Sequence, residues 1–144
     1  MSHIDALLRC VDEQSELLDE FIQALEAEGA MLLETPSNEA LGTLTARKNE
    51  YARRLGELDQ ARAAAMAALE QNDDHAGIDA VCAVHPDLRP AFDTLFERAE
   101  HASTLNRANG QILQSFVEHN QQALDTLRTL MGKDLYDARG RLSK

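Results

Sequence analysis

Apolar residues recur along this chain at alternating intervals of four and three. Ile4, Leu8, Val11, Ser15, Leu18, Ile22, Leu25, Gly29 and Leu32 form one such run. Leu41, Leu44, Lys48, Tyr51, Leu55, Leu58, Arg62, Ala65 and Leu69 form a second. Leu88, Phe92, Leu95, Ala99, Ala102, Asn106, Asn109, Leu113, Phe116, Asn120, Ala123, Leu127 and Leu130 form a third. A mean spacing of about 3.5 residues holds one side-chain seam against a neighbouring helix. Three such runs predict an all-α fold, a long antiparallel helical bundle or coiled coil of three main helices.

The punctuation between the runs sets the expected boundaries at about 3–33, 36–70 and 88–131. Ser2 is placed to cap the first helix, with Asp5 in its first turn. Thr35 and Pro36 read as the N-cap and first residue of the second helix. The short link between them makes these two helices antiparallel neighbours. QNDDHAG (71–77) breaks the pattern, and IDAVCAVH (78–85) suits a short helix before the third. Pro86 and Pro90 flank the start of the third helix, where a first-turn proline is tolerated. Residues 1–131 are thus expected to form the bundle domain and 132–144 a flexible C-terminal tail.

The expected lengths are unequal, about 50 Å for the first two helices and about 65 Å for the third. Either the end of the third helix overhangs, carrying Leu124, Leu127, Leu130 and Met131, or the overhang lies at the other end under residues 72–86. In the first case the overhang is an uncovered apolar stripe and a candidate partner surface.

Composition narrows the function. The chain has 144 residues, a length suited to one domain, with 14 Lys plus Arg against 25 Asp plus Glu and a net charge of −11. Such a surface repels phosphate backbones and anionic headgroups, so nucleic acid and membranes are disfavoured as partners. No apolar stretch approaches the roughly 20 residues of a membrane span. The opening MSHIDALLRCVDEQ carries acids where a secretion leader needs positive charge and an apolar core, which predicts a cytoplasmic protein. In that compartment Cys10 and Cys82 are expected to be reduced, small apolar residues.

Several seam positions are not apolar. Lys48 and Arg62 either pair with the acids of the first helix (Lys48 with Glu20 and Glu26, Arg62 with Asp12 and Glu13) or extend their stems to solvent. Asn106, Asn109 and Asn120 are read as register-setting residues in preference to a site. The best metal-like cluster, His75, Asp79, Cys82 and His85, lacks the paired spacing of known metal motifs. His3, His101 and His119 are isolated and expected at the surface. A helical-bundle metalloenzyme needs paired Glu-x-x-His elements, which Glu97–His101 and Glu118–His119 do not supply. No phosphate loop, nucleophile elbow or buried carboxylate pair is legible, so no catalytic residue, metal or cofactor is expected.

After Gly132, a candidate helix C-cap, the segment KDLYDARGRLSK changes character. The last 13 residues carry +2 and the rest of the chain −13. Leu135 and Tyr136 are either a docking anchor for a partner that orders the tail or fold back onto the bundle.

Three segments together resemble the FlgN family of flagellar export chaperones. They are the second-helix run from Leu41 through Arg62, LNRANGQIL (105–113), and YDARG (136–140). The resemblance covers nearly the whole chain. It implies a cytoplasmic, all-α, non-enzymatic chaperone that binds the hook–filament junction proteins FlgK and FlgL before their export. It also implies that the late third helix and the tail bind the client. The tyrosine matching one implicated in docking on the export gate protein FlhA is Tyr136. An amphipathic client helix would lie on the third helix, with Leu113, Phe116, Val117, Leu124, Leu127 and Leu130 as the expected contacts. Gly110, costly inside a helix by about 1 kcal/mol relative to alanine, would permit a bend or a close approach there. The alternatives are a helical adaptor outside flagella and a homo-oligomeric coiled-coil structural protein.

Overall fold

The computed structural model describes residues 2–34 and 37–131, side chains included except at 116, 117, 119, 120, 123, 124, 127 and 131. It is all-helical: α1 (His3–Leu32), α2 (Asn38–Ala68), α3 (His75–Val84) and α4 (Leu88–Met131), with no strand among the described residues. The chain divides into two units, Met1–Arg107 and Ala108–Lys144.

The starts of α1, α2 and α3 each have a polar cap that accepts an otherwise unpaired backbone N–H. Ser2 caps α1 by accepting from the Asp5 N–H at 3.1 Å, as the sequence predicts. The cap of α2 corrects the expectation of Thr35 and Pro36. Ser37 accepts from the Ala40 N–H at 3.1 Å, so α2 begins at Asn38; Thr35 and Pro36 themselves lie outside the described residues. The third start is also earlier than expected, at His75 instead of Ile78. Asp74 takes the cap position and accepts from the Gly77 N–H at 2.7 Å. Gly77 is required there, because a Cβ would sit 1.9 Å from the Asn72 carbonyl oxygen.

The end of α2 is a Schellman motif. Glu70 takes a left-handed φ of 61°. Its N–H donates to the Ala67 carbonyl, and that of Gln71 donates to the Met66 carbonyl. The chain thereby reverses direction within a few residues and enters α3.

The core lies within Met1–Arg107. Leu7, Val11, Leu18, Ile22 and Leu25 of α1 meet Met66 of α2, Ile78, Val81 and Cys82 of α3, and Leu88, Phe92, Leu95 and Ala102 of α4. Each fully buried leucine or phenylalanine contributes about 1.5–3 kcal/mol. α1 buries eleven side chains and α2 only Leu44 and Met66, so α1 is the element on which the others pack. Contacts of α1 with α2 run in opposite order along the two helices, from the Cys10 Sγ donating to the Leu58 carbonyl to Glu28 against Lys48. Between them the rings of Phe21 and Tyr51 lie 5.4 Å apart. On the α4 side, Arg98 donates to the Ser15 carbonyl at 2.9 Å.

The charged seam residues do pair, with partners other than those expected. Lys48 reaches Glu28 at 3.5 Å, not Glu20 or Glu26. Arg62 leaves Asp12 and Glu13 to solvent and engages Gln14, Asp59 and Asp73. The register of α1 on α2 brings Gln14 to Arg62, and the reversal after α2 brings Asp73 back to it.

Candidate partner-binding face

α4 carries the third heptad run, and burial along that run changes partway. Leu88, Phe92 and Leu95 are essentially inaccessible. Asn109 is also buried, at 6% exposure, whereas Asn106 is exposed. From Gly110 to Leu130 every described side chain is exposed except Ile112 and Arg128, which are half-buried. Leu113 is 37% and Leu130 77% exposed. Two leucines of the seam are therefore open to water where earlier members of the same run form the core.

Several polar residues of this stretch pair within the helix. Gln114 donates to Glu118 at 3.1 Å and Gln121 to Asp125 at 3.3 Å. Thr126 and Thr129 donate to the carbonyls four residues earlier, and Arg128 pairs with Asp125 at 3.3 Å. Such i,i+3 and i,i+4 contacts support a helix without a neighbour. Leucine has no such local solution, and its exposed area is what an apolar partner would cover.

Of the residues expected to bind a client, Leu113 and Leu130 are described and exposed. Phe116, Val117, Leu124 and Leu127 belong to α4, but their side chains lie outside the described residues, as does Tyr136 entirely. Asn120 and His119 share that status; His3 and His101 are exposed.

Two members of the metal-like cluster, Asp79 and Cys82, serve the fold. His75 lies 3.3 Å from Asp79, and Asp79 also receives the Arg89 guanidinium at 3.0 Å. Cys82 is turned into the core at 3% exposure. Among the described residues no group of His, Cys, Asp or Glu is arranged to hold a metal ion. Burial pushes the Cys82 thiol above its ordinary value, with Arg89 opposing. It does the same to Cys10, with Arg62 opposing. Both thiols are free and buried, hence poor nucleophiles. On the surface, Arg53 holds the Glu50 carboxyl below the usual range through a hydrogen bond and charge. A groove between α1 and α2 is lined by Glu13, Glu16, Glu20, Arg54 and Glu57, with Leu17 and Leu58 at its floor. It holds no nucleophile–base pair, so its chemistry is electrostatic.

Sequence reasoning missed Gln14 and Asp73, which complete the Arg62 cluster. Asp59, three residues before Arg62 on one helix, was legible from spacing alone. Gln14 carried no signal beyond its place beside Ser15 on the seam.

No helix among the described residues is long and apolar enough to cross a membrane. The family described as FlgN protein matches the chain over residues 1–144. The flagella synthesis protein FlgN of Salmonella typhimurium is 28% identical over 138 residues, covering 95% of this chain and 90% of that protein. The protein of the same name from Yersinia enterocolitica serotype O:8 is 29% identical over 138 residues, covering 95% and 89%. No solved structure matches.

Proposed function

The chain belongs to the FlgN family, a family of flagellar export chaperones and not of enzymes, and from that premise we propose that it binds FlgK/FlgL-like hook–filament junction proteins in the cytoplasm and delivers them to the export gate. In this reading α1, α2 and the first part of α4 form an up–down–up bundle. The later part of α4 and the tail take the client, and Tyr136 docks on FlhA. Residues 1–131 form the folded domain and 132–144 the segment ordered by partners.

The observation that carries the reading is the exposure of Leu113 and Leu130 on the heptad register that buries Phe92 and Leu95. A client helix with its own apolar stripe would complete that seam, gaining about 25 cal/mol for each Å² of apolar surface covered. Masking the stripe on the client keeps client chains from associating with one another. The strongly negative charge of the chain, −11 overall, disfavours nucleic acid and lipid as competing partners.

A pull-down with C-terminal peptides of junction proteins tests the proposal. Retention at micromolar peptide, lost in Leu130→Asp while helical circular dichroism and melting are kept, is the expected result. Retention unchanged by that substitution places the contact elsewhere. No retention, with light scattering showing a stable dimer instead, assigns the exposed leucines to a second copy of the chain. Loss of gate binding in Tyr136→Ala, with client binding intact, is expected for the tail.

A further inference from the structure

α3 is a ten-residue helix. Isolated helices shorter than about 12–15 residues are marginal in water, so α3 owes its helicity to docking. One face does that docking: Ile78, Val81 and Cys82 enter the core, while Val84 stays 72% exposed. Its flank toward the ends of α1 and α2 is incompletely filled. A hollow there is lined by Ile4, Leu69, Gln71, Ala80, Val81, Val84 and His85.

Both joints of α3 are turns. The first contains the left-handed Glu70, a backbone state that residues with a side chain rarely adopt. The second is a reversal in which Leu88 and Arg89 donate to the carbonyls of His85 and Pro86. Outside its apolar face, α3 and its approach are tied by two ion pairs. Asp79 with Arg89 at 3.0 Å is close to half-exposed on both sides. Asp73 with Arg62 at 3.2 Å is more enclosed. α1, α2 and α4 have 30, 31 and 44 residues, and each must lose several turns to separate.

We infer that α3 is a lid: it undocks and redocks as a unit while α1, α2 and α4 remain folded, and in the open state it uncovers the part of the core that Ile78, Val81 and Cys82 otherwise close. Local openings of this kind have free energies below that of global unfolding and are drawn from segments with few buried contacts between flexible joints. The inference does not depend on the client or gate assignment.

The chain's two cysteines make the test direct. Cys82 sits on α3 and Cys10 on α1, where its Sγ donates to the Leu58 carbonyl across the α1–α2 contact. Cys82 is exposed by opening of the lid, and Cys10 only when α1 and α2 part. The full-length protein is treated with iodoacetamide at several sub-denaturing urea concentrations, and each site is quantified by peptide mass spectrometry. The expected result is that Cys82 reacts roughly tenfold or more faster than Cys10, with a shallower dependence on urea. Ile78→Val, which trims the docking face by one methyl group, raises the Cys82 rate several-fold at the lowest urea concentrations, where opening of the lid carries the reaction. Equal rates with equal urea slopes, or a faster Cys10, overturn the inference. A Cys82 rate left at the wild-type value by Ile78→Val does the same, since docking of α3 then does not control that exposure.

Discussion

Arg62 on α2 donates from its guanidinium to the side-chain oxygen of Gln14 on α1, and Gln14 is only 5% exposed. The amide nitrogen of Gln14 donates in turn to Asp59, and Asp73 takes the Arg62 Nε at 3.2 Å. One cation thereby joins two helices and the connection into α3. Removing it leaves a buried amide oxygen without its donor, which costs about 1–3 kcal/mol. Arg62→Ala is expected to lower the unfolding free energy by that amount, read as a lower urea midpoint at unchanged slope. Arg62→Lys is expected to restore little, because a single ammonium does not reproduce the guanidinium's geometry toward several acceptors.

Ser15 presents the opposite case. Its Oγ is buried with no hydrogen-bond partner, although its carbonyl receives Arg98. An unsatisfied hydroxyl is a liability, and alanine is the better helix former. Ser15→Ala is expected to stabilise the protein by about 1 kcal/mol, read as a higher urea midpoint at unchanged slope.

Glu70 holds a φ of 61°, a conformation glycine adopts at little cost. Glu70→Gly keeps both Schellman hydrogen bonds and relieves the backbone. A gain of about 1 kcal/mol is expected, checked by thermal melting of the variant beside wild type.

At Gly77 the prediction reverses. A methyl group there meets the Asn72 backbone oxygen at 1.9 Å, and backbone cannot rotate out of the way as a side chain can. Gly77→Ala is expected to lower stability by roughly 1–3 kcal/mol, measured as a lower melting temperature.

Burial pushes the pKa of both Cys10 and Cys82 above the ordinary thiol value. In the unfolded chain the thiols lose their protons from about pH 9, while in the folded chain they keep them to higher pH. Over that interval the unfolded state binds fewer protons, so stability falls as pH rises. The thiol contribution is fully present below about pH 9 and is lost as pH climbs through the folded-state value. The alkaline limb of a melting-temperature profile is expected to be shallower in the Cys10→Ala, Cys82→Ala double variant than in wild type.

Much of this fold is legible in single residues of the sequence. Ser2 is a cap in both readings, and α4 spans 88–131 as its heptad run requires. The start of α2 was misplaced because Thr35–Pro36 and Ser37 offer competing caps within three residues, and local preference does not rank them. The start of α3 was misplaced because HAG lacks apolar periodicity; the Asp74 cap replaces that signal with a side-chain hydrogen bond. On the candidate face, helix length left open whether the end of α4 that carries Leu130 overhangs and said nothing of Leu113, while the burial of Asn109 distinguishes it from Asn106 in a way that their shared seam position does not.

Spacing, charge and family motifs by themselves determined that the chain is helical, where its apolar stripes run, and to which family it belongs. These are properties of near neighbours along the chain and of pattern, and they need no knowledge of what faces a stripe. Only the tertiary structure decided that Lys48 meets Glu28, that Arg62 meets Gln14 and Asp73, and that α3 closes the core. A heptad defines a face but not the axial register of the helix opposite it, and a sliding of one turn, about 5.4 Å, exchanges every cross-helix polar partner while leaving the apolar pattern unchanged.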